Sequence, residues 1–305
     1  MAQVVIIDTD IGTDIDDTWA LAFALRCPEL DLRLVTTSTG DPVDRAALVA
    51  DLLAAGGRPD IPIGVGSPGG GDLDQPLRGV AGRQALDGHP GGVHDGVAAM
   101  VEAIEAATTE VTVIALGPLT TVAAALQRRP EIAHRARLVG MHGSLRVGYR
   151  GEPGPVPEYN VATDVDAARR VFAAPWECTL TPLDTCGSAV LRDEAYRRVR
   201  AGADHDRLLG AVLAQHRTWL DAVGLPELYD RATTPLYDTV AVHLAYDESL
   251  VDIEPVRVAI DDDGTMRPSD HGSSVRLATS WTNREAFLDH LTGRLLDARR
   301  PGRDR

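Results

Sequence analysis

The chain has 305 residues, a formal net charge of −15 at pH 7, and a composition that is 44% hydrophobic and 4% aromatic, which suffices for one large domain with a sizeable core. All thirty basic residues are arginine, and this excludes a Schiff-base lysine and the lysine of a phosphate-binding P-loop. The acidic charge argues against broad binding to nucleic acid or to an anionic membrane.

The first predicted elements lie in residues 4–25, which read VVIIDTDIGTDIDDTWALAFAL. The β-branched run at 4–7 predicts a strand, and the apolar run at 19–25 predicts a helix that opens at Asp16 and Asp17. A strand that begins near residue 4 leaves no room for a signal peptide, and no apolar run reaches the ~18 residues of a membrane span. We therefore expect a cytoplasmic protein.

Between this strand and helix, five carboxylates fall within ten residues, and they are Asp8, Asp10, Asp14, Asp16 and Asp17. A helix N-terminus supplies roughly half a positive charge and a few free N–H groups, which cannot balance all five. Carboxylate oxygens with no Cys or His beside them suit Ca²⁺ or Mg²⁺ better than zinc. We expect Asp14 to cap the helix, and Asp10 to face a ligand because it lies at the carboxyl end of a strand.

The order Asp-Thr-Asp, Gly, Asp-Asp and an Ala/Leu-rich helix resembles the opening motif of the inosine–uridine-preferring nucleoside hydrolase family. The usual family pattern is Asp-x-Asp-x-Gly-x-Asp-Asp-Ala, and this chain has two further residues between Gly12 and the Asp pair. We match Asp16 and Asp17 to that pair, which leaves Asp14 outside the motif. The resemblance implies a Ca²⁺-dependent enzyme that releases ribose and a free base from ribonucleosides.

Strands alternate with helices in the next part of the chain, as in a βα repeat. We predict strands at 29–37 and 60–65, helices at 43–55 and 97–107, and a Gly/Pro-rich loop at 67–76. The family often has a His-Gly-x-Asp-Gly segment before the second of these helices, with its His on the ribose. The resemblance therefore implies His89 as a ribose contact, with His94 as the alternative, and a solvated loop histidine is an equal reading of either.

A strand at 111–116 runs into Gly117-Pro118-Leu119-Thr120-Thr121, where Pro suits the first turn of a helix. This segment resembles the family signature Gly-Pro-Leu-Thr-Asn, in which the carbonyl of the residue before Gly binds calcium. The resemblance implies that the backbone carbonyl of Leu116 is a metal ligand. A tight strand-to-helix turn without a ligand would explain the same Gly and Pro.

The strand predicted at 138–141 is followed by a long loop that ends in Glu158-Tyr159-Asn160, and Asp164 opens a helix. The family segment Glu-Phe-Asn binds sugar hydroxyls, so the resemblance implies ribose contacts from Glu158 and Asn160. A carboxylate accepts, and an amide both donates and accepts, as vicinal hydroxyls require. Replacing Asn160 should then weaken ribose recognition and leave metal binding intact. Tyr149 stands where the family commonly has Asn.

The chain from 179 to 183 predicts a strand, and 191–224 is mostly helical. In the family this region approaches the nucleobase, which makes Trp219, Tyr229 and Tyr237 candidates for stacking on the base or for packing in the core. We assign Tyr229 to the substrate.

Tyr237-Asp238-Thr239-Val240-Ala241 resembles the family segment His-Asp-Pro-Leu-Ala. The resemblance implies that Asp238 is a calcium ligand and that Tyr237 replaces the histidine that many members use as the acid for the leaving group. Tyr229 and His216 are the alternative acids. Two strands at 250–259 and 274–277 and a helix at 283–299 complete the predicted elements.

The predicted fold is α/β, a single domain over residues 1–305 with a mainly parallel, Rossmann-like open sheet flanked by helices. No dinucleotide glycine fingerprint follows the first strand, so we expect no NAD. The resemblance implies Ca²⁺ held by Asp10, Asp17, Asp238 and the Leu116 carbonyl, with Asp10 also accepting the proton of the attacking water. It assigns Asp16 to the ribose, together with Glu158 and Asn160.

Two other functions fit parts of the sequence. A non-catalytic nucleoside- or ribose-binding homologue would explain Tyr237 and Tyr149. A haloacid-dehalogenase-like phosphatase would explain Asp8-Thr9-Asp10 after an apolar strand, but Gly12 stands where such enzymes have Thr or Val, and the phosphate-binding Lys is missing.

The three cysteines, Cys27, Cys178 and Cys186, are too few and too scattered for a disulfide framework or a zinc site, and we expect buried thiols. We further predict a homodimer or homotetramer that acts in nucleoside catabolism and in purine or pyrimidine salvage.

Overall fold

A ten-stranded mixed sheet forms the centre of the computed structural model, which describes residues 2–70 and 73–297. Its strands, in chain order, are β1 (Gln3–Thr9), β2 (Leu30–Thr37), β3 (Ile63–Val65), β4 (Val93–Asp95), β5 (Val111–Ala115), β6 (Ala136–Met141), β7 (Cys178–Thr181), β8 (Val251–Ile260), β9 (Met266–Pro268) and β10 (Ser273–Trp281). The order across the sheet is β4-β3-β2-β1-β5-β6-β7-β10-β8-β9.

Strand β1 lies at the point where the strand order reverses. It pairs in parallel with β2 on one side and with β5 on the other. Parallel pairing continues outward to β4 and to β10, and only the β10–β8 and β8–β9 pairs are antiparallel. Connections that leave β1 and its neighbours in opposite directions open a crevice beyond their carboxyl ends, which is where open α/β sheets bind ligands.

Helices cover both faces of the sheet. Those of the described residues are α1 (Asp16–Ala24), α2 (Pro42–Ala55), α3 (Gly96–Ala106), α4 (Thr120–Arg128), α5 (Tyr159–Thr163), α6 (Val165–Phe172), α7 (Leu183–Cys186), α8 (Asp193–Gly202), α9 (Arg207–Ala222), α10 (Tyr237–Leu244) and α11 (Arg284–Leu296). Successive β1 side chains alternate between the two faces, so Val5 and Ile7 pack in one core and Ile6 in the other. Both faces of β1 are therefore apolar.

Helix α1 is surrounded on all sides. Every one of its residues is buried, and it packs against α9, α10 and α11 as well as α2. An apolar sequence without a polar face is what such a position requires. Burial of the helix also buries the two acids of its first turn, Asp16 and Asp17.

The predicted fold class is confirmed, because the sheet is mainly parallel and flanked by helices. The short edge strands β4 and β9 were not predicted, since three residues are too few to show an alternating pattern. Helix α11 ends at Leu296, and the last two residues of its predicted range, 298 and 299, lie outside the described residues.

Two further expectations concern the cysteines and the membrane. Cys27, Cys178 and Cys186 are free and buried, as predicted. Within the part of the chain that the structure describes, no helix has the length and apolar character needed to cross a membrane.

Candidate active site

A cavity of about 270 Å³ lies beyond the carboxyl end of β1, between the first turns of α1, α5 and α10. The residues that line it are Asp10, Thr13, Asp14, Asp16, Asp17, Leu116, Met141, Tyr149, Glu158, Tyr159, Asn160, Tyr237 and Asp238. These come from six separate segments of the chain. The cavity thus brings together the predicted metal ligands, two predicted ribose contacts, the acid assigned to the ribose and the predicted leaving-group acid.

Three carboxylates form a tight cluster in this cavity. Asp16 and Asp17 stand in the first turn of α1 and Asp238 in the first turn of α10, and one oxygen of each lies within 4.8 Å of the others. The backbone N–H of Asp238 donates to Asp16 Oδ2 at 3.3 Å, and the Thr9 hydroxyl donates to Asp17 Oδ1. The packing of α10 against α1 therefore creates the cluster.

Asp10 is buried just after β1, beside the same cavity. Its Oδ2 has no hydrogen-bond partner among the described residues. A Cβ atom added to Gly117 would lie 2.5 Å from Asp10 Oδ1, so only glycine allows this close approach of two chain segments. Gly117 is thus required by the position of Asp10 as well as by the turn into α4.

One buried cation stands behind Asp10. The Arg45 guanidinium, fully buried in α2, donates to the backbone carbonyls of Asp10, Ile11 and Thr39. It holds the loop after β1 in place from below. The sequence signal was an arginine on the apolar side of a predicted helix, and sequence reasoning missed it.

Burial raises the pKa of every carboxyl in this group, and the charges of neighbouring carboxylates raise most of them further. The shift is large for Asp16, Asp17 and Asp238, and it brings the pKa of Asp14 to about 6. Burial raises the pKa of Asp10 too, although the Arg45 charge opposes this. Ionisation of the whole group therefore calls for a compensating cation.

The donor set fits a hard divalent cation. It consists of carboxylate oxygens, one of them the unpartnered Asp10 Oδ2. No cysteine or histidine is among the residues that line the cavity, and the one sulfur among them is the thioether of Met141. The cluster differs from the predicted carboxylate ligands in two respects, because Asp10 is not one of its three members and Asp16 is. Asp16, which the resemblance assigned to the ribose, lies with Asp17 and Asp238.

Glu158 and Asn160 have structural partners that the sequence did not indicate. Glu158 caps α5, because its Oε1 accepts from Asn160 N at 2.8 Å and its Oε2 accepts from Val161 N at 3.3 Å. The same Oε2 also accepts from Gly143 N, in the loop after β6, at 2.8 Å. Burial raises the pKa of Glu158 to about 7, although these hydrogen bonds act to lower it. The Asn160 amide nitrogen donates to the carbonyl oxygens of Leu116, at 2.7 Å, and Met141, at 2.9 Å. Only the oxygen end of this amide is left for a sugar hydroxyl.

Three tyrosines form the aromatic part of the cavity wall. The rings of Tyr149 and Tyr237 meet edge to face, with centroids 6.5 Å apart and an interplanar angle of 87°. The backbone N–H of Tyr159 donates to the Tyr149 hydroxyl oxygen at 2.9 Å. Neither Tyr149 nor Tyr159 was among the predicted site residues, yet both line the cavity. The sequence signal that could have identified Tyr159 was its place between the two predicted ribose contacts, Glu158 and Asn160.

Two predicted substrate contacts lie elsewhere. The Nε2 atom of His89 lies 2.8 Å from the Ile61 carbonyl oxygen, beside the edge of the sheet, and His89 does not line the cavity. The Tyr229 ring packs between the guanidinium groups of Arg200 and Arg217, whose central carbons lie 4.7 and 5.2 Å from its centroid. Tyr229 is half-buried and does not line the cavity. These two assignments are corrected.

The alternatives to His89 and Tyr237 are also outside the cavity wall. His94 is exposed, with its ring nitrogen 3.5 Å from the Gly91 carbonyl oxygen. His216 is enclosed by the rings of Trp19, Tyr196 and Tyr229. Burial prevents either nitrogen of His216 from reaching a ligand in the cavity.

The prediction that Asp14 caps α1 is wrong. The residue in the N-cap position is Ile15, and the helix has no side-chain cap. Asp14 Oδ1 instead accepts from the adjacent Ile15 N–H at 2.6 Å. Asp14 stands one residue before the N-cap position, and its carboxylate lines the cavity.

Comparison with known proteins gives a consistent result. Residues 5–289 match the family model described as inosine-uridine preferring nucleoside hydrolase. The chain is 30% identical over 277 residues to the non-specific ribonucleoside hydrolase RihC of Klebsiella pneumoniae subsp. pneumoniae, covering 87% of this chain and 86% of the relative. It is 32% identical over 226 residues to RihC of Salmonella newport, covering 70% of this chain and 72% of the relative.

Solved structures share the fold. A plant nucleoside hydrolase superposes with a TM-score of 0.78 at 22% identity, covering 97% of this chain and 100% of the plant chain. A purine-preferring ribonucleoside hydrolase from Gardnerella vaginalis superposes with a TM-score of 0.76, also at 22% identity, covering 97% of this chain and 99% of the other.

Proposed function

This chain belongs to the inosine-uridine preferring nucleoside hydrolase family and is a nucleoside hydrolase, and from that premise we propose that it cleaves the N-glycosidic bond of ribonucleosides in a Ca²⁺-dependent reaction, giving ribose and a free base. The observation that carries this proposal is the cluster of Asp16, Asp17 and Asp238 beside the unpartnered Asp10 oxygen, at the carboxyl end of β1.

The residues that would hold the ion are Asp10, Asp17, Asp238 and the Leu116 carbonyl, with Asp16 added because it lies in the carboxylate cluster. When bound there, Ca²⁺ supplies positive charge that favours deprotonation of a nearby water and attracts vicinal ribose hydroxyls. The raised pKa values of these carboxyls support the need for such a charge.

Asp10 accepts the proton of the attacking water in the proposed reaction. Cleavage of the glycosidic bond builds positive charge on the ribose, as in an oxocarbenium ion, and carboxylates around the sugar stabilise that charge. Asp16 and Glu158 are the carboxylates assigned to the sugar, and the amide oxygen of Asn160 accepts a hydrogen bond from a sugar hydroxyl. The support for this arrangement is that all four residues line one cavity.

In this proposal the acid that assists the leaving base is a tyrosine, Tyr237. Among the described residues that line the cavity there is no histidine, and Tyr237 is the residue that the sequence assigns to the acid. Burial, followed by the charge of Asp16, raises the pKa of Tyr237, so its phenol stays protonated at neutral pH. A phenol is a weaker acid than an imidazolium, so the enzyme should depend strongly on the quality of the leaving group.

Release of free base from a panel of nucleosides tests the proposal. We expect a nitrophenyl riboside, whose leaving group needs no acid, to be cleaved much faster than inosine or uridine. A chelator should abolish both activities, and Ca²⁺ should restore them. If the purified protein releases no product from any substrate with Ca²⁺ present, the proposed function is wrong. Nucleoside catabolism, cytoplasmic location and a homodimer or homotetramer stay predictions.

A further inference from the structure

The Tyr149 hydroxyl occupies an unusual chemical position in the cavity. Tyr149 begins a short turn in the loop between β6 and α5, and its oxygen accepts the Tyr159 N–H at 2.9 Å. Its ring stands edge to face with Tyr237. The loop is thereby tied to the first turn of α5, next to Glu158 and Asn160.

A phenol that accepts one hydrogen bond still has its own O–H to donate. No described protein group accepts from the Tyr149 O–H, and this residue lines the cavity. The hydrogen bond from a backbone N–H also polarises the phenol, which makes its O–H a stronger donor. The Tyr237 hydroxyl has no hydrogen bond to any described residue, so it lacks this assistance.

Tyr149 also lies close to the groups assigned to the sugar. Burial, and then the charge of Glu158, raise the pKa of Tyr149. The phenol is therefore neutral at physiological pH and retains its O–H hydrogen for donation while its oxygen accepts the Tyr159 N–H. A ring nitrogen or carbonyl oxygen of a nucleobase is the acceptor that such a donor suits.

We propose that Tyr149 is a second donor to the leaving base, stronger than Tyr237, and that it contacts the base through its O–H. This inference rests on the proposed hydrolase function. Water forms a bond to the anomeric carbon and loses a proton to Asp10, while the electron pair of the glycosidic bond passes to the base nitrogen. Tyr149 keeps its proton and stabilises the charge on the base, which then takes a proton from solvent.

Tyr149→Phe tests this inference because it keeps the ring against Tyr237 and removes only the hydroxyl. We expect kcat/KM for inosine and uridine to fall about ten-fold, the loss of one hydrogen bond to developing charge. For the nitrophenyl riboside kcat/KM should change less than about two-fold. Tyr237→Phe is the matched variant, because the hydroxyl that it removes has no backbone donor. It should lower the ratio of kcat/KM for inosine to kcat/KM for the nitrophenyl riboside less than Tyr149→Phe does.

A structural role for Tyr149 gives a different result. Tyr149→Phe also deprives the Tyr159 N–H of its acceptor, and a displaced loop would impair both kinds of substrate equally. Equal losses on both substrates, or no loss on either, would overturn the inference, as would a larger effect of Tyr237→Phe. Failure of the proposed function is distinguishable, because the wild-type protein would then leave the nitrophenyl riboside intact.

Discussion

The Asn160 side-chain nitrogen donates a hydrogen bond to the Leu116 carbonyl oxygen at 2.7 Å. This contact joins the first turn of α5 to the end of β5, across 44 residues of sequence. The sequence assigned Leu116 to the metal and Asn160 to the ribose alone. The contact connects the two roles, so the expectation that a change at Asn160 leaves metal binding intact no longer follows.

We predict that Asn160→Ala lowers Ca²⁺ affinity about ten-fold and also raises KM, because groups that orient a metal ligand contribute roughly this much. Calorimetric titration of the metal-free protein measures the affinity. The matched control is Asn283→Ala, which removes the N-cap of α11 far from the cavity. It should cost about 1 kcal/mol of stability and leave Ca²⁺ affinity unchanged. Equal Ca²⁺ affinity in Asn160→Ala and wild type would contradict this prediction.

Asp10→Asn should separate activity from stability. Loss of the proposed proton acceptor should reduce kcat by about 10³-fold. The metal-free variant should nevertheless unfold at a higher temperature than the metal-free wild type, because Asp10 is a buried acid whose Oδ2 lacks a partner and whose pKa is raised by burial. Thermal unfolding in chelator measures this, with Asp289→Asn, a change at an exposed residue of α11, as the control. A lower unfolding temperature for metal-free Asp10→Asn would show that Asp10 stabilises the fold by itself.

Ca²⁺ should stabilise the folded protein by about 3 kcal/mol at a concentration of 100 times its Kd. Asp17→Asn should remove most of this gain, because Asp17 is a member of the carboxylate cluster. The unfolding temperature with and without Ca²⁺ gives both values, and Asp289→Asn again serves as the control. Zinc should not replace Ca²⁺, since the cluster offers only oxygen ligands. A gain of the same size in Asp17→Asn would place the ion elsewhere.

His216 should make the protein sensitive to acid. Burial lowers the pKa of His216 to about 4, from 6.5, and neither ring nitrogen has a hydrogen-bond partner among the described residues. The unfolded chain therefore binds a proton here that the folded chain excludes, and stability is lost as the pH falls from 6.5 toward 4. His216→Leu should recover up to about 3 kcal/mol at pH 4, relative to its effect at pH 7.

Urea unfolding at several pH values between 4 and 7 measures this difference. The control is His271→Leu, a histidine that is exposed in the loop before β10. Parallel pH curves for His216→Leu and wild type would refute the assignment of His216 as a source of acid sensitivity.

Much of this protein follows from its sequence alone. The apolar run before Asp8, the acids that open α1 and the alternation of strands and helices are local patterns, and they determine the parallel sheet and the end of it that carries the site. The residues Asp10, Asp17, Asp238 and Glu158 stand at strand or helix ends, where chain order already indicates that they converge.

The tertiary structure decided which of these groups touch. Asp16 joins Asp238 across 222 residues because α1 packs against α10, and no local pattern contains that contact. The partners of each side chain were decided in the same way, since His89 contacts the Ile61 carbonyl and Tyr229 packs against Arg200, both away from the cavity wall. Local propensity determines where a helix or strand begins. Packing between distant segments determines the distances between side chains, and a ligand set depends on differences of a few ångströms in those distances.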